Sequence, residues 1–261
     1  MECCNNYTPE SIPEGVVRMS KIAEEIRKLH HSFCTVVVAA AGASERMGED
    51  KLFLDLDGQT VLAATLSALN RSEAVDEIIV VTRPERAEDV GALRTQAGLH
   101  KISKVVFGGP TRTHSALAGV TAASRRARII CIHDGARPLV TDQLISQAVH
   151  CAVLYEAAAP ALPVKDTVKT AENGVVTGTP ERSKLYTVQT PQAFRASIIK
   201  AALTRAVKDG ISYTDDCAAV EAMGCPVHLS PGDEENIKIT TPPDLSLARM
   251  ILQRRREEGT A

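Results

Sequence analysis

Between Thr35 and Lys51 the chain reads TVVVAAAGASERMGEDK, an apolar run that gives way to small residues and then to two cations. Val36, Val37 and Val38 are β-branched with no polar residue among them, the pattern of a strand buried on both faces of a parallel sheet. Ala40, Ala41 and Gly42 then remove side-chain bulk from the strand's end, where backbone N–H groups can approach a ligand closely. Arg46 and Lys51 follow a few residues on. Bare backbone donors beside positive charge suit a polyphosphate, although a tightly packed β–α turn uses the same small residues. Two well-known phosphate loops do not match. A Walker A loop fails because Glu49 and Asp50 follow Gly48, and a dinucleotide fingerprint fails because Ala43 and Ser44 break its glycine spacing.

From Thr35 onward strands and helices alternate. Strands are expected at Val36–Ala41, Glu77–Thr82, Lys104–Phe107, Ile129–His133 and Ala157–Leu162, with helices at Val61–Asn70, Glu85–Ala97, Thr113–Arg126 and Asp142–Tyr155. Such alternation implies right-handed crossovers and a mostly parallel α/β sheet with helices on both faces. Ligands of such sheets sit beyond the carboxyl ends of the strands, so the loops after Ala41, Phe107 and His133 should lie together. The pattern breaks after Pro163. Lys165–Ala171 and Val175–Thr179 flank Asn173-Gly174, the signature of a hairpin with a type I′ turn. A two-stranded ribbon is barely stable alone, so it should pack on something, a second subunit being the obvious candidate. Helices are expected again at Arg195–Asp209, Asp215–Met223 and Pro242–Arg254, with Thr214 and Thr241 as N-caps.

Composition removes several classes. A formal charge of −2 over 261 residues argues against bulk electrostatic affinity for nucleic acid or an anionic membrane. Any anionic ligand must be held by local clusters. The seven cysteines form no C-x-x-C pair and several sit inside apolar runs, as buried, reduced thiols of a cytoplasmic protein would. No run reaches the roughly 20 apolar residues of a membrane span. Residues 1–31 read as an appendage, polar to Gly15 and then helical in spacing at Val16, Met19, Ile22, Ile26 and Leu29. His30 and His31 fit a solvated helix end, since no partner ligands lie nearby in sequence. The acidic residues of this stretch argue against a transit peptide.

Two further segments carry chemistry. Gly108-Gly109-Pro110-Thr111-Arg112, followed by Ser115, ends a strand and opens a helix, offering a ligand bare backbone, helix-start N–H groups and a hydroxyl. His133-Asp134-Gly135-Ala136-Arg137-Pro138 ends the next strand. An acid there, beside phosphate-binding loops, can hold Mg²⁺, which takes one or two carboxylates plus phosphate oxygens. The alternative for Asp134 is a turn or cap residue paired with Arg137, and His133 reads as a packed strand-end residue rather than a base. Lys238 falls in an alternating NIKIT strand and could point to solvent. No G-x-S-x-G elbow, H-E-x-x-H or Cys/His signature supports covalent catalysis.

Together, AAAGASERMG…K, GGPTRTHSALAGV, HDGARP, PVKDTVK, QTPQAF, TDD and ENIKIT resemble the family of 2-C-methyl-D-erythritol 4-phosphate cytidylyltransferases, in family order from about Val36 to Leu252. The resemblance implies a Rossmann-like domain over residues 33–254, with a protruding β-arm at about 164–182 that interlocks a homodimer. Residues 1–31 would be an extension and 255–261 a polar tail. It implies that Ala40, Ala41, Gly42, Gly109 and Ser115 cradle CTP, with Ala136 beside the ribose. Arg46 and Lys51 would hold the triphosphate, Asp134 would sit at Mg²⁺, and Lys238 would contact the α-phosphate. Arg137, Thr167, Arg182, Thr190 and Thr214 would bind methylerythritol phosphate, Arg182 by reaching into the neighbouring subunit. The chain departs from the pattern in the short Met47–Lys51 loop, in Asp50 where many relatives carry Pro, and in Pro110 where an acid is common. The alternatives are a ribitol-5-phosphate cytidylyltransferase and, in another class, a catalytically silent nucleotide-binding regulator. The latter would require loss of a key cation or acid, yet Arg46, Lys51, Asp134, Arg182 and Lys238 are all present.

Overall fold

A computed structural model describes residues 32–42 and 50–259. Arg46 and the helix expected over Val16–His31 lie outside the described residues. Strand β1 (Cys34–Ala40) lies inside the sheet, parallel to β4 (Glu77–Thr82) on one side and to β6 (Ile129–Asp134) on the other, with β5 (Ile102–Phe107) parallel to β4 at the edge. A minor ribbon, β2 (Asp55–Leu56) with β3 (Gln59–Thr60), leads into helix α1 (Val61–Arg71). Helices α2 (Ala87–Gln96), α3 (Arg112–Ala122) and α4 (Asp142–Tyr155) then separate successive strands.

Beyond β6 the sheet changes character. Strand β7 (Ala157–Pro163) is reached through α4, but the chain then leaves through a hairpin, β8 (Thr170–Glu172) and β9 (Val175–Gly178), and returns without a crossover helix. A strand returning that way runs antiparallel. Accordingly β10 (Tyr186–Val188) and β11 (Gln192–Arg195) both pair antiparallel with β7, and β11 fills the gap beside β6. The β12 strand (His228–Pro231) is parallel to β7. These three short strands were not expected, and two of them, β10 and β11, turn the mostly parallel sheet into a mixed one. Asn173 and Gly174 have φ of 49° and 79°, the positive pair a type I′ turn demands.

Alternation in β1 explains the burial on both faces. Val36 and Val38 point into one apolar layer with Leu66, Leu69 and Ile145 of α1 and α4. Val37 points into the other with Val120 of α3, Leu203 of α5 (Ala196–Lys208) and Val220 of α6 (Asp216–Glu221). At Gly119 the helix α3 comes so near the sheet that a Cβ would lie 2.2 Å from Val37 Cγ1. The same helix stops at Ala122, short of the expected Arg126, because the buried Glu77 carboxylate accepts the Ser124 N–H at 2.9 Å. Helix α7 (Pro242–Glu257) starts at the expected Thr241 cap, with Asp244 closing a capping box, and runs on past Arg254. The N-cap of α6 is Asp215, which accepts from Ala218 N at 3.1 Å, and not the expected Thr214, which stays outside the helix and exposed.

Candidate active site

The carboxyl ends of β1, β5 and β6 open into one cleft of about 470 Å³. Ala41 and Gly42 line it from the end of β1, Gly109, Arg112 and Ser115 from the turn into α3, and Asp134 and Ala136 from the end of β6. Lys51 and Lys238 complete the wall. Ser115 Oγ accepts from Gly109 N–H at 3.1 Å and donates to the Thr111 carbonyl at 3.0 Å, which fixes the glycine turn. Gly108 is required for close approach: a Cβ there would lie 2.5 Å from Ala41 Cβ.

Asp134 is the electrostatic centre. Its Oδ2 lies 2.9 Å from Lys238 Nζ and 3.4 Å from Arg137 Nε. Burial alone would push this carboxyl up, but Lys238 and Arg137 beside it outweigh burial and hold it below the ordinary carboxylate range. It is therefore an anion at neutral pH. His133 is wholly buried, and desolvation pushes it down to about 4, so it is neutral and has no access to the cleft. Its Nε2 lies 3.2 Å from the Arg137 carbonyl and its Nδ1 3.1 Å from Thr190 Oγ1. A proton on Nε2 with Nδ1 accepting from Thr190 satisfies both bonds. Thr190 Oγ1 in turn accepts the Asp134 N–H at 3.1 Å. Thr190 thus lies buried behind the acid, steadying the strand end.

Lys238 does not sit in a strand. Residues 236–240 form an irregular segment in which Ile239 is buried against α7 and its N–H donates to the Ala136 carbonyl at 2.9 Å. The apolar alternation of NIKIT comes from this packing and not from a sheet ladder. Polar side chains fasten the segment from below. Arg137 Nη1 donates to the Asn236 carbonyl at 2.6 Å, and Gln189 and Asp233 exchange bonds of 2.8 and 3.1 Å. Arg254 and Arg255 of α7 hold Glu235, the latter with Nε to Oε2 at 3.0 Å.

On the other wall, the residue before Lys51 is anchored. The Asp50 carboxylate pairs with Arg83 and lies 3.3 Å from Arg86 Nε, while Arg86 stacks over the Phe53 ring at 4.3 Å. An ion-paired Asp thereby fixes the chain directly before Lys51. Ala40 sits buried at the strand end just behind the cleft. Thr167 and Arg182 lie exposed on the arm and do not line this cleft; Arg182 Nη1 donates to the Lys165 carbonyl at 2.9 Å. Arg112, quoted in the sequence analysis without a role of its own, also lines the cleft. Arg112 makes a two-point ion pair with Asp216, which has no exposed surface. Among the described residues no three metal-ligating side chains cluster together.

Comparison with known proteins places the chain among relatives of one family. The family model for 2-C-methyl-D-erythritol 4-phosphate cytidylyltransferase matches residues 34–254. The chain is 42% identical over 224 residues to the enzyme so named from Caldanaerobacter subterraneus, covering 84% of this chain and 99% of the relative. A relative of the same name from Geotalea uraniireducens is 42% identical over 227 residues, covering 84% of this chain and 96% of that one. Among solved structures, the Thermus thermophilus cytidylyltransferase superposes with a TM-score of 0.70 at 32% identity, over 84% of this chain and 98% of that one. The 4-diphosphocytidyl-2C-methyl-D-erythritol synthase of Anaerococcus prevotii gives 0.75 at 30%, over 85% and 97%.

Proposed function

We propose, from the premise that the chain belongs to the 2-C-methyl-D-erythritol 4-phosphate cytidylyltransferase family, a division of labour within the cleft. The chain is a nucleotidyltransferase that moves CMP from CTP to 2-C-methyl-D-erythritol 4-phosphate. An oxygen of the acceptor's phosphate attacks the α-phosphorus of CTP in line, the bond to the β-phosphate breaks, and pyrophosphate leaves. Two polyanions must meet, so the work of the protein is neutralisation and alignment rather than proton transfer. The neutral, buried His133 is consistent with a site that uses no general base.

In this reading Ala40, Ala41, Gly42, Gly109 and Ser115 receive the nucleotide through backbone groups and small side chains, and Ala136 borders the ribose. Arg46 and Lys51 neutralise the triphosphate, and Lys238 takes the α-phosphate. Arg137 and Thr214 flank the acceptor, while Thr190 supports it from behind. The observation that carries the reading is Lys238 Nζ at 2.9 Å from Asp134 Oδ2, a cation and an anion side by side in a cleft of small residues. A lone, ionised carboxylate fits a Mg²⁺ ion that draws most of its ligands from phosphate oxygens. Asp134 would hold it, and the ion would add positive charge against the triphosphate.

The arm supplies the argument for a homodimer. Val175 and Val176 are 68% and 57% exposed on a ribbon too small to stand alone. A second copy would cover them and bring Thr167 and Arg182 to its own cleft. Val175→Asp with Val176→Asp is expected to halve the mass in light scattering and to abolish turnover; a fully active dimer would exclude this role for the arm. Among the described residues no helix is long and apolar enough to cross a membrane, and the free thiols at Cys34, Cys131 and Cys217 suit a reducing cytoplasm. The reaction itself is tested by pyrophosphate release from CTP and Mg²⁺ with methylerythritol 4-phosphate or ribitol 5-phosphate as acceptor. Release with the first alone is expected. Release with ribitol phosphate would reassign the acceptor, and silence with both would remove the catalytic reading.

A further inference from the structure

Asp134 and Lys238 form the charge pair on which the proposed function rests, yet they stand on different parts of the chain. Asp134 ends β6, and Lys238 sits in the irregular segment 236–240. The stretch Gln189-Thr190, between β10 and β11, touches the footing of both. Gln189 N–H donates to the Pro160 carbonyl of β7 at 2.7 Å, which seats the stretch on the sheet. Towards Asp134, Thr190 Oγ1 accepts the Asp134 N–H at 3.1 Å. Towards Lys238, the Thr190 carbonyl accepts from Asn236 Nδ2 at 2.9 Å, while Gln189 donates to the Asp233 carbonyl and accepts the Asp233 N–H. Asn236 N–H donates to the Asp233 carbonyl at 3.1 Å, so both grips fall on one turn, directly before Lys238. On its far side Lys238 is held by Ile239, whose N–H donates to the Ala136 carbonyl. Gln189, Thr190 and Asn236 are all buried. Asn236 Oδ1 is buried as well, and it has no hydrogen-bond partner among the described residues. An unpaired buried oxygen lowers stability. Stability alone therefore does not account for an amide at this position; what the amide does supply is the bond to Thr190.

We propose that Asn236 and Gln189 are positioning residues for the transfer step, which hold the turn before Lys238 at a fixed distance from Asp134. This rests on the reading of Lys238 as the cation at the α-phosphate. A lysine reaches its target on a long, flexible stem, and that of Lys238 is partly exposed, so the backbone beneath it is what can be fixed in advance. Charges stabilise a transition state when they are in place before the reaction, and a displacement of about 1 Å can cost on the order of 10²-fold in rate. Without the Asn236 bond, Lys238 keeps its charge and the anchor after it but loses the anchor before it. Binding of the substrates, spread over the whole cleft, changes little; the transition state loses a placed charge.

The test is a double-mutant cycle on the full chain, read by steady-state kinetics and thermal unfolding. Asn236→Ala is expected to lower kcat about tenfold or more while both KM values stay within about threefold of the wild type. In a Lys238→Ala background the same change should lower kcat by less than about threefold, because no charge remains to be placed. The fall in Tm caused by Asn236→Ala should persist in that background. A merely structural Asn236 would instead lose rate to a comparable extent with and without Lys238, and that result overturns the proposal. A loss of less than about tenfold in Asn236→Ala, with Lys238→Ala itself costly, overturns the positioning role and leaves Lys238 in its own. A loss of less than about tenfold in Lys238→Ala takes that charge out of the reaction and overturns both. Where Asn236→Ala fails to fold, Gln189→Met enters the same cycle, since it keeps a side chain of similar length and removes both bonds to Asp233. A rate loss that vanishes without Lys238 supports the proposal; a loss that persists, or no loss at all, overturns it.

Discussion

Lys238→Ala is expected to lower kcat about 10²–10³-fold, the usual consequence of removing one preorganised charge from a transition state in which negative charge is being redistributed. Lys51→Ala, on the opposite wall of the cleft, should do the same. The fold should survive Lys238→Ala. Its side chain is 42% exposed and its ion pair with Asp134 is partly solvated, so its stabilising contribution is on the order of 1 kcal/mol or less. Tm should therefore move by only a few degrees. The Asp134 carboxyl changes more. With Lys238 gone, burial is opposed mainly by Arg137, so its pKa moves back up from the depressed range. A depressed carboxyl contributes stability that is present above its unfolded pKa and lost as pH falls through the folded one. The variant should lose that contribution at a higher pH than the wild type. Steady-state kinetics and thermal unfolding on the same sample read both effects. Losses under tenfold for both lysine variants would mean that the cleft is not where the transferring phosphate sits.

Gly119→Val is expected to cost about 3 kcal/mol, the upper part of the range for overpacking a filled interior. For a chain of this size that corresponds to a fall in Tm of roughly 6–12 °C. The argument is steric. The first atom of any side chain at 119 would meet Val37 Cγ1 at 2.2 Å and Val81 Cγ2 at 2.7 Å, both on central strands that have no room to move. Gly91 in α2 is the control. A Cβ there meets nothing within 4 Å, so Gly91→Ala should gain helix propensity, on the order of 1 kcal/mol, and raise Tm slightly. Thermal unfolding by circular dichroism distinguishes the two. Equal responses would mean that α3 does not pack against β1 as closely as described.

Three strands of the parallel half were legible because each is a dense apolar run that can only be buried: VVV in β1, EIIVVT in β4, IICIH in β6. The short strands beyond the arm were not. β10, β11 and β12 are three or four residues long, and β11 interrupts its apolar pair Ala193-Phe194 with Gln192 and Arg195. Their pairing is decided by the return of the chain from the arm, which no local pattern records. The cleft behaves likewise. Small residues at strand ends announce a ligand loop, but what steadies it is carried by single polar residues far apart in sequence, such as Gln189 with Asp233 or Arg137 with Asn236. A signal existed for one of them. Asp216 lies three and four positions before Ala219 and Val220, on the same helical face as two buried apolar residues, and a buried acid calls for a cation. The choice of Arg112 as that cation needed the fold. NIKIT misled for the converse reason: period-two alternation reports which side chains are buried, not what the backbone pairs with.

The footing of Lys238 has a consequence for the order in which the molecule becomes competent. A polypeptide leaves the ribosome from its amino end, and structure forms as it emerges. The strands that shape the floor of the cleft, β1 and β6, are complete by Asp134, a little past the middle of the chain. The residue that supplies the last positive charge comes about a hundred positions later, and the arginines that hold its segment through Glu235 come later still, at 254 and 255. A nascent chain can therefore hold both of these strands while Lys238, the cation proposed to face the α-phosphate, has nothing to stand on. In the proposed reading, competence waits for the last turns of α7, a helix that does not line the cleft.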